Sequence, residues 1–294
     1  MTRFTRILCP VDSSEFATRA LRYAAAVARQ YGAELRALTV RPPMPAMGIW
    51  AAPTLMVPPE LPDDRERTVA AFQKFVRDTT GLPDARVLLH DGPVVGEILR
   101  EAREWPADLV VMGTHGASGF ERLILGSVTE KVLRRSDVPV LTIPRHAPDA
   151  ARVTPRIVLC AYDRSAASAR ALEYSVMMAR NSGARVILAH IVEQFLNEDP
   201  QFARHFDTDD CFRAAETGLR AWYAARVPPQ ARDVCEVELR CGKASRELLA
   251  LAHERHADLI AMGTANATAM FGSTAHTVVR SADVPVLVVP PLEA

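Results

Sequence analysis

The 294-residue chain is long enough for two domains of ordinary size. Its 35 lysine and arginine residues balance 35 aspartate and glutamate residues, so no net positive field favours nucleic acid or an acidic membrane as a partner. The apolar run near the start is too short for a signal peptide, no long apolar stretch follows, and the five cysteines lack CxxC spacing. These features predict a cytoplasmic protein without a membrane anchor, and they leave the metal content unknown.

Short sequences recur along the chain in a fixed order. The segment 7–12 (ILCPVD) returns as 158–163 (VLCAYD), and 107–114 (ADLVVMGT) returns as 257–264 (ADLIAMGT). The motif DVPVL at 137–141 returns at 283–287. Such ordered anchors mark a tandem duplication of a unit of about 145 residues. We therefore expect one domain at 1–147, a second at 154–294 and a short linker between them.

Strands and helices alternate in each unit. In the first, apolar runs predict strands at 6–11, 34–40, 86–90, 109–112 and 138–143. Helical spacing predicts a helix that is capped by Ser13 or Ser14 and stops at Gly32, followed by helices at 64–79, 94–104 and 127–135. This order favours an α/β fold of two tandem Rossmann-like domains, each a five-stranded, mostly parallel sheet with helices on both faces.

The segment 42–62 stands apart from the alternation. It holds seven prolines among large apolar side chains, which argues against both regular structure and a solvated linker. Two interpretations are open: a loop folded over its own domain, or a lid or partner surface.

The strongest chemical signal follows the fourth strand. Gly113 and Gly116 open a glycine-punctuated loop, and Gly126 and Ser127 begin the next helix, with Ser127 expected as its cap and Glu130 as the reciprocal capping residue. A helix start with free N–H groups behind a glycine loop is typical of phosphate sites. The loop could instead serve chain reversal alone.

An aspartate also follows the first strand. Ligands of parallel α/β sheets bind beyond the carboxyl ends of the strands, where the strand order reverses. Asp12 and Gly113 both follow strand ends, so we expect them to converge there. Alternatively, Asp12 caps the helix that it precedes. We expect His115, within the loop, to face solvent rather than to act in catalysis.

The pattern Gly-x-x-Gly, nine residues, then Gly-Ser, behind an apolar strand and with the trailing DVPVL, resembles the universal stress protein family over essentially the whole chain. The resemblance implies an adenine-nucleotide site for ATP or AMP, with Mg²⁺ as an accompanying cation. It implies that Asp12 and the Gly113 backbone meet the ribose and that Val40 meets the adenine. The positions that it implies for the phosphates are Gly116, Gly126, Ser127, Val128 and Thr129.

The second unit departs from this pattern. Its matching positions are Asp163, Ile191, Gly263, Gly272, Ser273 and Thr274. Asn266 replaces the second glycine of the loop, and the spacing to Gly272 is four residues shorter. Tyr162 or Phe271 could also fill the pocket. We therefore expect one good site in the first domain and a weak or empty second site, suited to adenosine or a monophosphate.

The resemblance implies a nucleotide-binding regulatory module of the stress response. Hydrolysis should be at most slow, because the motif supplies no general base or water-positioning residue. Two alternatives stay open: a nucleotide-independent interaction scaffold acting through 42–62, and a nucleotide-hydrolysing enzyme. We expect the two units to face each other as an intramolecular pseudo-dimer, and leave a further homodimer and a protein partner open.

Overall fold

The computed structural model describes residues 3–12, 14–43, 62–114, 125–148, 154–193, 232–264 and 272–291, with isolated positions between 213 and 225. Most of the segment 42–62 lies outside the described residues, and so do His115, Gly116, Asn266 and Phe271. The two interpretations of segment 42–62 therefore stay predictions.

The first half folds as the alternation predicted. Its elements are β1 (Arg6–Pro10), α1 (Glu15–Tyr31), β2 (Glu34–Arg41), α2 (Pro62–Thr80), β3 (Arg86–Asp91), α3 (Val94–Glu104), β4 (Leu109–Gly113), α4 (Ser127–Arg135) and β5 (Val140–Ile143). Each predicted element is present within about two residues of its expected bounds. The helices α3 and α4 begin and end where the sequence placed them.

The second half repeats this order. Its elements are β6 (Ile157–Ala161), α5 (Ala166–Ser182), β7 (Arg185–Val192), β8 (Cys235–Cys241), α6 (Ala244–Glu254), β9 (Leu259–Gly263), α7 (Ser273–Ser281) and β10 (Val286–Val289). Residues of the two halves that occupy the same place in this repeat are called equivalent below.

The first helix of each half is fixed by local signals at both ends. The Ser14 hydroxyl accepts the N–H of Ala17 at 3.1 Å at the start of α1, and Ser165 caps α5 in the same way. Both helices end at a glycine in the left-handed conformation, Gly32 with φ 64° and Gly183 with φ 70°. Glycine takes this conformation without steric cost, which is why it ends helices.

All ten strands form one sheet in the order β3-β2-β1-β4-β5-β10-β9-β6-β7-β8. Every strand pair within a half is parallel. In the first half the chain runs from β1 outward to β3, and then returns to the other side of β1 as β4. The strand order therefore reverses between β1 and β4, and likewise between β6 and β9 in the second half.

The halves meet at a seam, the antiparallel pair of β5 and β10. Leu141 lies opposite Leu287, Val140 opposite Val288 and Thr142 opposite Val286. Because Leu141 and Leu287 are equivalent residues, this register places a pseudo-two-fold axis between them. The two five-stranded units thus form a single continuous sheet.

Helices cover both faces of the sheet, which explains why its strands are continuously apolar. Ile7 and Cys9 of β1 belong to the core beneath α1, α2 and α5, whereas Leu8 belongs to the core beneath α3, α4, α6 and α7. Burial raises the thiol pKa of Cys9, and raises that of its equivalent Cys160 to about 12. Across the described ranges, none of the helices is both long and apolar enough to cross a bilayer.

Candidate functional site

A cavity of about 290 Å³ opens at the carboxyl ends of β1, β2 and β4, where the strand order of the first half reverses. Its walls hold every described residue that the sequence assigned to the first site: Asp12, Val40, Gly113, Gly126, Ser127, Val128 and Thr129. The topology therefore brings together residues that are more than 100 positions apart in the chain. The remaining assigned residue, Gly116, lies outside the described residues.

Apolar side chains that the sequence analysis had not assigned complete the cavity. Leu38 on β2, Val94 and Ile98 on α3, and Met112 on β4 line it next to Val40. Val94 and Ile98 are four residues apart and therefore lie on one face of α3. This spacing is visible in the sequence, but only the order of the strands in the sheet shows that this face of α3 lines the cavity. Together they form a wall suited to a flat apolar group.

The start of α4 lacks a side-chain cap. Its N-cap is Gly126, and the first helical hydrogen bond runs from Glu130 N–H to the Gly126 carbonyl at 2.9 Å. The predicted capping box is therefore wrong, because Ser127 is already helical and the Glu130 carboxylate instead accepts from Arg134 Nη2 at 2.7 Å. The N–H groups of residues 127–129 have no acceptor within the helix. They form an uncapped, partially positive helix end in the cavity wall.

Two polar groups of the motif serve the fold itself. The Gly126 N–H donates to the Thr114 carbonyl at 2.8 Å. The Thr129 hydroxyl donates to the Gly113 carbonyl at 2.8 Å, and the Thr129 residue is only 4 % exposed. These bonds hold the start of α4 against the end of β4. Because the Thr129 hydroxyl is used in this way, the exposed Ser127 hydroxyl is the one that a ligand can reach at the start of α4.

Asp12 supports the start of α1 without capping it. Its Oδ1 accepts the Ser14 N–H at 3.0 Å and a short hydrogen bond from the Ser14 hydroxyl. Ser14 caps the helix, as one of the two predicted caps, so the alternative in which Asp12 is the cap is wrong. The Asp12 carboxylate is exposed at the cavity edge.

The second half has a cavity of about 480 Å³ at the equivalent place. All six residues assigned to the second site line it: Asp163, Ile191, Gly263, Gly272, Ser273 and Thr274. Tyr162 is buried in the core under α5, and the cavity stays open beside it. The helix start at α7 again has glycine as its N-cap and no side-chain cap.

The walls of the two cavities differ in charge. Glu193 stands where Pro42 lies in the first half, and its Oε1 accepts the Ala244 N–H at 3.1 Å. His190 Nδ1 lies 2.6 Å from the Tyr162 carbonyl, and since a carbonyl only accepts, Nδ1 carries the proton. The sequence analysis assigned neither residue to the second site. His190 lies directly before residues 191 and 192 at the end of β7, and Glu193 lies directly after them.

Asp163 is ionised under ordinary conditions. Partial desolvation opposes its ionisation, but hydrogen bonds from Ser165 outweigh that effect and lower the carboxyl pKa below its usual value. The second cavity therefore contains the negative charges of Asp163 and Glu193 in its wall.

Gly263 is required by packing. A Cβ atom at this position would lie 2.5 Å from the backbone carbon of Ala167 and 2.5 Å from the backbone nitrogen of Ser168. The start of α5 therefore passes directly over the end of β9. Glycine is needed here for this close approach, whatever the cavity holds.

Two equivalent α/β units, each with a cavity at its strand switch point, define a tandem α/β protein. The chain belongs to the universal stress protein family, whose family model matches residues 3–144 and again residues 155–290. The two matches coincide with the two structural repeats.

Individual relatives agree with this assignment. A universal stress protein of Mycolicibacterium smegmatis is 27% identical over 299 residues, which covers 97% of this chain and 97% of the relative. Universal stress protein MJ0531 of Methanocaldococcus jannaschii is 30% identical over 142 residues, 48% of this chain and 83% of the relative. The crystal structure of a universal stress protein from Archaeoglobus fulgidus shares the fold, with a TM-score of 0.68, 24% identity, and coverage of 99% of this chain and 98% of that chain.

Proposed function

We propose that this chain is a cytoplasmic stress-response protein and that its first cavity binds an adenine nucleotide, ATP or AMP. Binding of the nucleotide would make the chain a regulatory module. The observation that carries the proposal is the uncapped start of α4 in the cavity wall, with the N–H groups of residues 127–129 unused by the helix. Phosphate is the ligand chemistry that such a helix end favours.

The remaining walls fit the other parts of a nucleotide. Val40, Leu38 and Ile98 offer an apolar surface to the base. The Asp12 carboxylate lies at the end of β1, where it can accept the ribose hydroxyls. Ser127 adds a hydroxyl donor for the phosphates, and the Mg²⁺ of MgATP would enter on the phosphate oxygens.

The same walls support a binding role rather than rapid hydrolysis. Among the described residues that line the first cavity, Asp12 carries the only ionisable side chain, and it holds Ser14 at the start of α1. A hydrolase needs a group that orients or deprotonates the attacking water near the phosphates. Asp12 belongs instead to the proposed ribose end of the cavity.

We propose that the second cavity binds a nucleoside or a monophosphate more weakly. The Glu193 carboxylate opposes a polyphosphate by charge repulsion, and its equivalent Pro42 places no such charge in the first cavity, whereas Asp163 is matched there by Asp12. Ala275 also replaces Thr129, so the second helix start lacks the hydroxyl that ties α4 to β4.

Two matched proline variants test the proposal. Ser127→Pro removes an N–H and a hydroxyl from the first site, and Ser273→Pro makes the same change in the second half. Proline is tolerated at the first helical position, and the extended ψ of Gly126 (133°) and Gly272 (140°) suits a following proline. Circular dichroism checks that both variants keep the fold.

ATP binding is then measured by equilibrium dialysis. We expect about one strong site per chain and at least a tenfold loss of affinity in Ser127→Pro, because hydrogen bonds to charged groups contribute about 1.5–3 kcal/mol. Ser273→Pro should keep the strong site. Wild-type affinity in Ser127→Pro, or no ATP binding by the wild type, would refute the nucleotide proposal and favour the scaffold that acts through 42–62.

A further inference from the structure

A third cavity lies away from both strand-end cavities, beneath α1 and α5 at the seam between the halves. Its volume is about 130 Å³. Equivalent residues of both halves line it in pairs: Leu109 and Leu259, Leu141 and Leu287, and Val27 and Met178. The cavity therefore lies on the pseudo-two-fold axis and belongs to both halves at once.

The size of this cavity limits what it can hold. Pockets for drug-sized ligands have volumes of about 300–1,000 Å³, so a nucleotide does not fit. An engineered apolar cavity of about 150 Å³ stays dry and binds benzene. The seam cavity is similar in volume, most of its lining residues are aliphatic or aromatic, and it suits one six-membered ring.

The lining also contains the polar side chains of Tyr23, Gln30, Tyr31 and Asp258. The Tyr23 hydroxyl donates to the Pro148 carbonyl at 2.6 Å, and Asp258 Oδ2 accepts two backbone N–H groups.

Within the described part of the chain, Gln30 Nε2 is buried and has no hydrogen-bond partner. The equivalent residue in the second half, Asn181, is exposed, and its Nδ2 donates to the Met177 carbonyl at 2.9 Å. A buried donor without an acceptor is costly, and native structures rarely keep one. Gln30 thus marks the side of the cavity where a ligand acceptor would lie.

We propose that the seam cavity binds a small, neutral, largely apolar molecule about the size of one six-membered ring, whose single hydrogen-bond acceptor pairs with Gln30 Nε2. This proposal does not depend on nucleotide binding. Because both halves line the cavity, an occupant that binds only the folded chain should raise its thermal unfolding midpoint.

Two probes of nearly equal shape test this directly. Cyclohexanone carries a carbonyl acceptor, and methylenecyclohexane replaces that oxygen with a CH₂ group. Each is titrated into the full chain labelled with ¹³C at the methionine methyl groups, and the Met178 signal is assigned with Met178→Leu. Both probes should shift the Met178 methyl signal in a saturable way.

Three variants separate the cavity from its donor. Gln30→Leu should lower the preference for cyclohexanone over methylenecyclohexane about tenfold relative to wild type, since one hydrogen bond is lost. Asn181→Leu, the matched change in the second half, should leave that preference unchanged. Val27→Phe should fill the cavity and abolish both shifts. If it does not fold, Gln30→Leu still decides.

The proposal is overturned if neither probe shifts the Met178 methyl signal. It is also overturned if Gln30→Leu keeps the wild-type preference between the two probes, or if a folded Val27→Phe variant still shows both saturable shifts.

Discussion

The Thr142 hydroxyl donates a hydrogen bond of 3.1 Å to the Val286 carbonyl, and this bond crosses the seam between the two halves. Thr142 is 0 % exposed. Its equivalent is Val288, which has no hydroxyl, so the pseudo-symmetric seam contains this side-chain hydrogen bond in one direction only. The two halves are thus joined by strand pairing, by apolar packing that includes the stacked rings of Phe4 and Tyr174, and by this buried hydrogen bond.

Removing this hydroxyl should weaken the seam. Thr142→Val keeps the side-chain shape and loses one buried hydrogen bond, so we expect the free energy of unfolding in urea to fall by about 1 kcal/mol. As a control, Val288→Thr introduces a hydroxyl at the equivalent place, from which the pseudo-symmetry puts the Val140 carbonyl within reach. We expect that variant to lose less stability. Equal losses would show that the bond contributes nothing specific.

Thr129 and Ser127 should respond differently to the loss of their hydroxyls. Thr129→Val breaks the buried bond to the Gly113 carbonyl and should lower the free energy of unfolding by about 1 kcal/mol. Ser127→Ala should leave stability unchanged, because the Ser127 side chain is exposed, and should weaken ATP binding up to about tenfold. Urea unfolding and equilibrium dialysis of both variants measure the two effects. A stability loss confined to Ser127→Ala contradicts these roles.

Two glycines of the second cavity should differ sharply in their tolerance of alanine. Gly263→Ala places a methyl group 2.5 Å from the backbone of α5, so we expect a loss of about 3 kcal/mol or more. Gly272→Ala meets nothing within 4 Å, and its φ of −53° suits any residue. Thermal and urea unfolding of the pair distinguish packing from ligand binding as the reason for the glycine at position 263. Similar stabilities would refute the packing argument.

Local sequence signals predicted the elements because caps, stops and apolar spacing act over a few residues. The Ser14 cap and the Gly32 stop could be predicted in this way. Because the sequence repeats, the same elements could be expected in the second half. The switch point was also predictable, since parallel sheets place their ligands there. Asp12 and Gly113 accordingly line one cavity.

The sequence-based predictions failed or were incomplete where a polar group forms its hydrogen bond with a residue far away in the chain rather than with a nearby one. A capping box at Ser127 and Glu130 is locally plausible, but Gly126 is held by the Thr114 carbonyl and becomes the cap residue itself. Glu193 was not assigned to the second site, although its carboxylate accepts from the N–H of Ala244, 51 residues later. Such pairings follow from the sheet order, which local periodicity does not encode.

A buried ion pair distinguishes the first half from the second. Arg36 Nη1 lies 2.8 Å from Glu101 Oε1, with side chains 18% and 8% exposed, and the guanidinium also stacks on Trp105 at 4.1 Å. The equivalent residues in the second half are Ile187 and Leu251, both buried in the core. The repeat therefore contains an apolar pair at these two positions, and Arg255 stands at the position of Trp105.

This comparison leads to opposite expectations for single and double substitutions. Glu101→Ala removes the buried carboxylate nearest to the Arg36 guanidinium, which keeps only the longer contact to Glu34 at 3.8 Å, and should cost about 3 kcal/mol. Arg36→Ile combined with Glu101→Leu should be neutral or stabilising, because desolvation of a buried pair offsets most of its attraction. The exposed pair of Glu130 and Arg134 is the control, and Glu130→Ala should change stability by less than about 1 kcal/mol. Urea unfolding of Glu101→Ala, Glu130→Ala and the double variant compares these losses. A double variant as unstable as Glu101→Ala would show that the ion pair, rather than the shape of the site, stabilises the first half.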